Sequence, residues 1–365
     1  MVTGLLFILG LALLIGGAEL LVRGASRLAV LAGVSPLIIG LTIVAFGTSS
    51  PELAVSVRSA LLTSAGADIA LGNVVGSNIF NVLFILGLSA LVKPLSVSRQ
   101  LIRVDVPIMM GVSLLLFFIA LDGRIGHIDG FVLFLGILVY TLFTIRQGSK
   151  ADNGAAGMQK NRPENGWRDA GWSVMLVVIG LVMLVLGSHW LVKTAIVMAE
   201  RLGISELVIG LTVVAAGTSL PEAATSVMAS IKGERDIAVG NIVGSNIFNI
   251  LAVLGLSALA GTHGVRVPLP AMWFDLPIMI ATAAVCLPVF ITGFQITRME
   301  GLLFMGYYFL YTLYLVMATA HHKSLPFLTH IIVFFILPLT GIMILVPLYI
   351  QMRKGFVKGL HRRLR

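Results

Sequence analysis

Apolar runs separated by short polar breaks dominate the chain from end to end. A helix crosses a bilayer in about 20 residues. Runs of that order begin near Leu5, Pro36, Ile69, Val104, Ile128, Trp172, Glu206, Ile237, Trp273, Gly301 and Pro326, which predicts eleven spans. The second and seventh are interrupted by Gly, Thr, Ser, Pro and Glu, so they are expected to be broken helices. The run from Leu5 to Val22 has no basic residue before it and contains Glu19, so it reads as a spanning helix and not as a cleaved signal peptide. The longest polar stretch, 147–171, predicts a cytoplasmic linker too short for a folded regulatory domain.

The pattern is written twice. GLTIVAFGTSSPE at 40–52 returns as GLTVVAAGTSLPE at 210–222, and GNVVGSNIFNVL at 72–83 returns as GNIVGSNIFNIL at 240–251. Asp105-Val-Pro-Ile-Met recurs as Asp275-Leu-Pro-Ile-Met, and Tyr140-Thr-Leu as Tyr311-Thr-Leu. Each copy therefore holds five spans, residues 1–146 and 172–320. Five is odd, so the second copy must enter the membrane from the opposite side. The expected fold is all-α and multi-pass: two inverted five-helix repeats plus an extra span at 321–352 and a basic tail at 353–365. Inverted repeats are a transporter architecture, with the substrate site at the midplane where the copies meet.

Composition removes the alternatives to a membrane protein. Hydrophobic residues make up 58% of the chain and charged ones 11%, against about 25% charge in a soluble domain. The net charge of +9 reflects loop and tail residues, the kind that orient a membrane protein, and no nucleic-acid partner is expected. Nineteen of the 25 Lys and Arg residues fall on one side of an alternating eleven-span layout, which predicts a plasma or inner membrane protein with its amino terminus outside and carboxyl terminus in the cytoplasm. The single cysteine, Cys286, lies in an apolar run and reads as a small core residue.

Scarce charge makes the buried acids conspicuous. Glu52 and Glu222 occupy equivalent places in the two broken spans. A charged residue at the centre of a spanning helix costs about 2.5 kcal/mol or more and normally has a partner or a function. No Lys or Arg lies at comparable depth, so the expected partner is a cation from outside the chain. The neighbours are oxygen donors. Thr48, Ser49, Thr218 and Ser219 flank the acids, and Asn73, Ser77 and Asn81 form a stripe repeated by Asn241, Ser245 and Asn249. Asn73, Asn78, Asn241 and Asn246 have a competing use in bonding helix to helix. Pro51 and Pro221 lack an N–H, which predicts free carbonyls on Gly47 and Gly217. Hard oxygen donors suit Ca²⁺ or Na⁺, whereas copper and zinc prefer His or Cys. Two carboxylates are balanced by one divalent or two monovalent ions, which suggests exchange.

At these residues the sequence resembles the Ca²⁺/cation antiporter superfamily, in particular prokaryotic sodium/calcium exchangers. The resemblance covers both motif pairs and the ten-helix frame around them. It implies four clustered ion sites, one preferring Ca²⁺ and the others serving Na⁺. The implied ligands are Glu52, Thr48, Ser49, Ser77, Asn81 and the Ala45 carbonyl, with Glu222, Thr218, Ser219, Ser245, Asn249 and the Ala215 carbonyl as counterparts. The first and sixth helices would slide across the rest to alternate access. Some members, including potassium-dependent ones, carry Asp at the place of Asn249, so K⁺ co-transport is not expected here. The expected activity is electrogenic Ca²⁺ export driven by Na⁺ entry, with no cofactor and no obligate protein partner. A Ca²⁺/H⁺ antiporter using the same glutamates is the nearest alternative. An enzyme acting on lipid phosphates would want Arg or His among its acids, and a passive channel would hold a divalent ion less firmly than two carboxylates do.

Overall fold

The computed structural model describes residues 2–62, 66–151, 166–201, 215–320, 322–336 and 341. Among them, eight helices are long and apolar enough to cross a membrane, and a bent pair makes a ninth span. The chain is an all-α, multi-pass membrane protein. In order, α1 is Val2–Ala32, and the bent pair α2 and α3 is Pro36–Thr48 and Ser50–Leu61. Then come α4 (Ile69–Val92), α5 (Leu101–Asp122), α6 (His127–Ala151) and α7 (Gly166–Arg201). The second half continues with α8 (Leu220–Lys232), α9 (Arg235–Ala260), α10 (Ala271–Ile291) and α11 (Arg298–Thr319). The start of the expected seventh span, at 206–214, and most of the eleventh lie outside the described residues; within the eleventh, Leu325–Phe334 is helical. Helices α6 and α7 overrun the expected 147–171 linker at both ends, and 152–165 lie outside the described residues.

Two short strand pairs reveal how the halves are related. Strand β1 (Leu95–Ser96) precedes α5 and β2 (Arg124–Ile125) follows it, while β3 (Val265–Arg266) precedes α10 and β4 (Gln295–Ile296) follows it. The antiparallel partners are β1 with β4 and β2 with β3. Thus α5 runs from the β1/β4 end to the β2/β3 end, and α10 runs the other way. These helices carry the duplicated Asp-x-Pro-Ile-Met segments and run in opposite directions, as an inverted repeat requires.

Helices α4 and α9 form the centre: 78% and 89% of an 18-residue apolar stretch in each is buried, against 11–39% in the other unbroken spans. Each changes from an α-helix to a π-helical turn at a repeated asparagine, at Asn81–Leu86 and Asn249–Leu254. Two more π-helical turns, Leu101–Asp105 and Ala271–Asp275, lie just before Pro107 and Pro277. A proline cannot donate to the carbonyl four residues back, and the wider turn absorbs the slipped bond.

Outside this centre, α1 and α7 pack antiparallel as a pair. Gly10, Gly17 and Gly24 lie seven apart on α1 and meet Gly187, Gly180 and Ser173 on α7. A Cβ on Gly17 would sit 2.8 Å from the Gly180 carbonyl oxygen, and one on Gly180 would sit 2.7 Å from that of Gly17. Only glycine permits this approach, the packing that drives helix association where lipid offers no hydrophobic gain. At 31 and 36 residues and about 1.5 Å per residue, both helices exceed the roughly 30 Å apolar core, so they tilt or protrude. Cys286 is buried, its thiol 3.4 Å from the Thr282 carbonyl, as a small core residue.

Candidate functional site

The site is built around the break between α2 and α3 and its counterpart before α8. Ser49 (φ −82°, ψ 6°) and Ser219 (φ −89°, ψ 10°) leave helical geometry at equivalent places. Pro51 and Pro221 follow two residues later, in the first turn of the resumed helix, where a missing N–H costs nothing. Glu52 and Glu222 fall in those same first turns. Unpaired backbone N–H groups there carry partial positive charge, so each carboxylate is tolerated at depth partly because its helix starts beside it.

Both glutamates are fully buried. Each is held by the serine of the other copy: Ser219 Oγ donates to Glu52 Oε1 at 2.9 Å, and Ser49 Oγ donates to Glu222 Oε1 at 2.9 Å. Ser219 Oγ also lies 3.0 Å from Ser77 Oγ. The threonines cross over as well. Thr48 donates to Asn241 Oδ1 and Thr218 to Asn73 Oδ1, both at 3.1 Å. Asn73 and Asn241 are in turn fixed by Ser56 and Ser226, each bond 2.9 Å.

Of the twelve residues implied as ligands, Glu52, Glu222, Thr48, Ser49, Ser219, Ser77, Ser245, Asn81, Asn249 and Ala45 are buried, and Thr218 is half-buried. Ala215 opens the short helical turn Ala215–Gly217 in the second copy. The Ala45 carbonyl accepts the Ser49 N–H at 3.0 Å, and the Thr48 hydroxyl lies 3.4 Å from it. The Gly217 carbonyl departs from expectation. Ser188 of α7 donates to it at 2.7 Å, so it is capped from outside the broken span. Ala18 stands at the corresponding place on α1, which leaves this cap to one copy.

Eleven buried side-chain polar atoms have no hydrogen-bond partner among the described residues, and five belong to this cluster: Glu52 Oε2, Glu222 Oε2, Asn81 Oδ1, Asn249 Oδ1 and Ser245 Oγ. An unpaired buried polar atom costs about 1–3 kcal/mol, more when charged, so five within one network mark a place for a guest. Ionised carboxylates and amide oxygens only accept, so these four oxygens suit a cation or a hydrogen-bond donor such as water. Among the described residues no group of three or more His, Cys, Asp or Glu could hold a metal. Neutral oxygens must therefore complete any shell begun by the two carboxylates.

The profile of the family described as sodium/calcium exchanger protein matches residues 2–146 and 172–317. The chain belongs to this family. The exchanger is 43% identical over 258 residues to the inner membrane protein YrbG of Escherichia coli, covering 70% of this chain and 78% of that one. It is 34% identical over 346 residues to the sodium/calcium exchanger MaX1 of Methanosarcina acetivorans, covering 83% and 95%. Among solved structures it matches the sodium-calcium exchanger NCX_Mj soaked with 2.5 mM Na⁺ and 0.1 mM Ca²⁺. That match has a TM-score of 0.72 at 30% identity and covers 85% of this chain and 97% of the other. The membership is that of a transporter.

Further residues bond to this cluster. Asn73, Asn78, Asn241 and Asn246 have a competing use in bonding helix to helix, which Asn78 and Asn246 do between α4 and α9, and Ser56, Ser226 and Ser188 carry no motif. Their period along the helices was visible; their partners, on other helices, were not.

Proposed function

We propose that this exchanger moves Ca²⁺ out of the cell in exchange for Na⁺ entering down its gradient, with Glu52 and Glu222 at the centre of the shared site. The observation that carries this reading is the set of five unpartnered, buried oxygens in one network. Ca²⁺ takes 6–8 oxygen ligands at about 2.3–2.6 Å in flexible geometry. Two carboxylates, two asparagine oxygens and the hydroxyls of Thr48, Ser49, Ser77, Thr218, Ser219 and Ser245 are enough in number. The carbonyls of Ala45 and Ala215 complete the ligand set. One Ca²⁺ neutralises both glutamates, as do two Na⁺, so the loads compete for the same charge. Further Na⁺ bound by neutral oxygens makes the cycle electrogenic. The amino terminus faces outside and the carboxyl terminus the cytoplasm, with the basic excess inside.

The test uses proteoliposomes loaded with Na⁺ and diluted into Na⁺-free medium containing ⁴⁵Ca. Uptake is expected in the wild type and to fall at least about a hundredfold in Glu52→Gln and in Glu222→Gln. Uptake by either variant at the wild-type rate would refute the site assignment. Uptake driven by a pH gradient without Na⁺, and absent with Na⁺ alone, would instead make the partner ion H⁺.

A further inference from the structure

We propose that Asn78 and Asn246 are positioning residues that decide which end of the Asn249 and Asn81 amides faces the transported cation; this rests on the ion-site reading above. An asparagine amide presents either an oxygen, which binds a cation, or an NH₂, which repels it. The two ends are nearly the same size, so packing alone does not choose between them. Hydrogen bonding does.

The choice begins at two backbone carbonyls. Asn78 Nδ2 lies 3.2 Å from the Asn246 carbonyl oxygen, and Asn246 Nδ2 lies 3.2 Å from that of Asn78. A carbonyl only accepts, so both side-chain nitrogens are committed to this reciprocal lock between α4 and α9. The oxygens are thereby turned the other way. Asn78 Oδ1 accepts from Asn249 Nδ2 at 3.1 Å, and Asn246 Oδ1 accepts from Asn81 Nδ2 at 2.9 Å. With those nitrogens turned toward their acceptors, the amide planes of Asn81 and Asn249 point Oδ1 the other way. Both oxygens are buried and without a protein partner. The orientation of each copy's ligand is thus set from the other copy, through an unbroken sequence of donors and acceptors. All four asparagines are buried, so water does not compete to turn them.

The test measures Ca²⁺ binding to the purified full-length protein by titration calorimetry. Asn78→Ala is expected to raise the Kd for Ca²⁺ by about 10–100-fold, the usual cost of losing a group that orients a metal ligand. In an Asn249→Ala background the same change should add less than about twofold, because the amide it orients is gone. Asn246→Ala should behave alike toward Asn81→Ala, which keeps the test decisive if one variant fails to fold. The crossed pair Asn78→Ala with Asn81→Ala should instead multiply its separate effects. A merely structural role predicts equal factors in every background. The proposal is overturned if Asn78→Ala leaves Kd unchanged, or weakens binding by the same factor with and without Asn249. Glu52→Gln is the control on the underlying reading: Ca²⁺ binding as tight as in the wild type would sink the ion site itself, whatever the asparagine variants do.

Discussion

At the scale of single residues, the decisive property of Glu52 and Glu222 is that each keeps one oxygen bonded and one free. The bonded oxygen fixes the carboxylate's direction, and in the proposed function the free one is left for a cation. The two serines that do this are not equal. Ser219 reaches both Glu52 and Ser77, whereas Ser49 reaches Glu222 alone. Hydrogen bonds to charged groups are worth about 1.5–3 kcal/mol, about ten- to a hundredfold in affinity. Both Ser219→Ala and Ser49→Ala are therefore expected to raise the Ca²⁺ KM by about tenfold or more, with the larger factor for Ser219→Ala. ⁴⁵Ca uptake at graded Ca²⁺ concentrations reads both, and the reverse order would contradict the asymmetry. Glu52, Glu222 and their hydroxyl neighbours stand out in the sequence because acids are rare in such apolar runs. The cross-copy pairing of Ser49 with Glu222 does not, since the two are 173 positions apart.

Between elements, glycine and proline set the architecture. The glycines seven apart on α1 meet Gly187, Gly180 and Ser173 of α7 at backbone contact, so any larger residue must push two helices apart. Gly180→Leu places several atoms where the Gly17 carbonyl already lies 2.7 Å from an ideal Cβ. Overpacking of this kind costs about 1–3 kcal/mol or more. A clear fall in thermal unfolding midpoint is expected in detergent, while Gly4→Leu, where nothing lies within 4 Å of a Cβ, should change it little. The same helix pair touches the site. A Cβ on Gly47 would lie 2.7 Å from the Leu181 side chain, and Gly217 packs against Val192. Ser188 adds a hydrogen bond to the Gly217 carbonyl. Ser188→Ala strips that carbonyl of its partner and is expected to cost about 1–3 kcal/mol of stability, again read as a lowered midpoint. A midpoint equal to the wild type would mean that the carbonyl finds another donor. The helix breaks were readable from Pro51 and Pro221. The heptad of glycines was present in the sequence too, but glycine is common in spanning helices, and only the facing glycines on the other helix give the spacing its meaning.

For the molecule as a whole, the strand pairs fix which loops share an end. Arg124 and Arg266 are partners at the β2/β3 end. At the β1/β4 end, Arg235 bonds Ser96 and Arg298 bonds the Val92 carbonyl. Lys232 bridges there to Glu19 at 3.2 Å, tying α1 to the end of α8. On the proposed orientation, with the basic excess in the cytoplasm, Arg99→Cys should be labelled by an impermeant thiol reagent only from the cytoplasmic side, and Arg124→Cys only from outside. Cys286 is buried and should give no background. Labelling of both from the same face would refute the alternation of spans.

The sequence by itself determined the membrane setting and the duplication, predicted the inversion, and marked the buried oxygens. Each of these follows from local hydropathy, from counting five spans, or from the rarity of acids in lipid. Tertiary structure alone decided how those oxygens are arranged: which serine holds which glutamate, which carbonyl Ser188 caps, and which way four asparagine amides turn. The physical reason is that a hydrogen bond has a direction and a partner. Periodicity tells which face of a helix a residue occupies, but the donor or acceptor opposite it lies on another helix, from the other copy of the repeat.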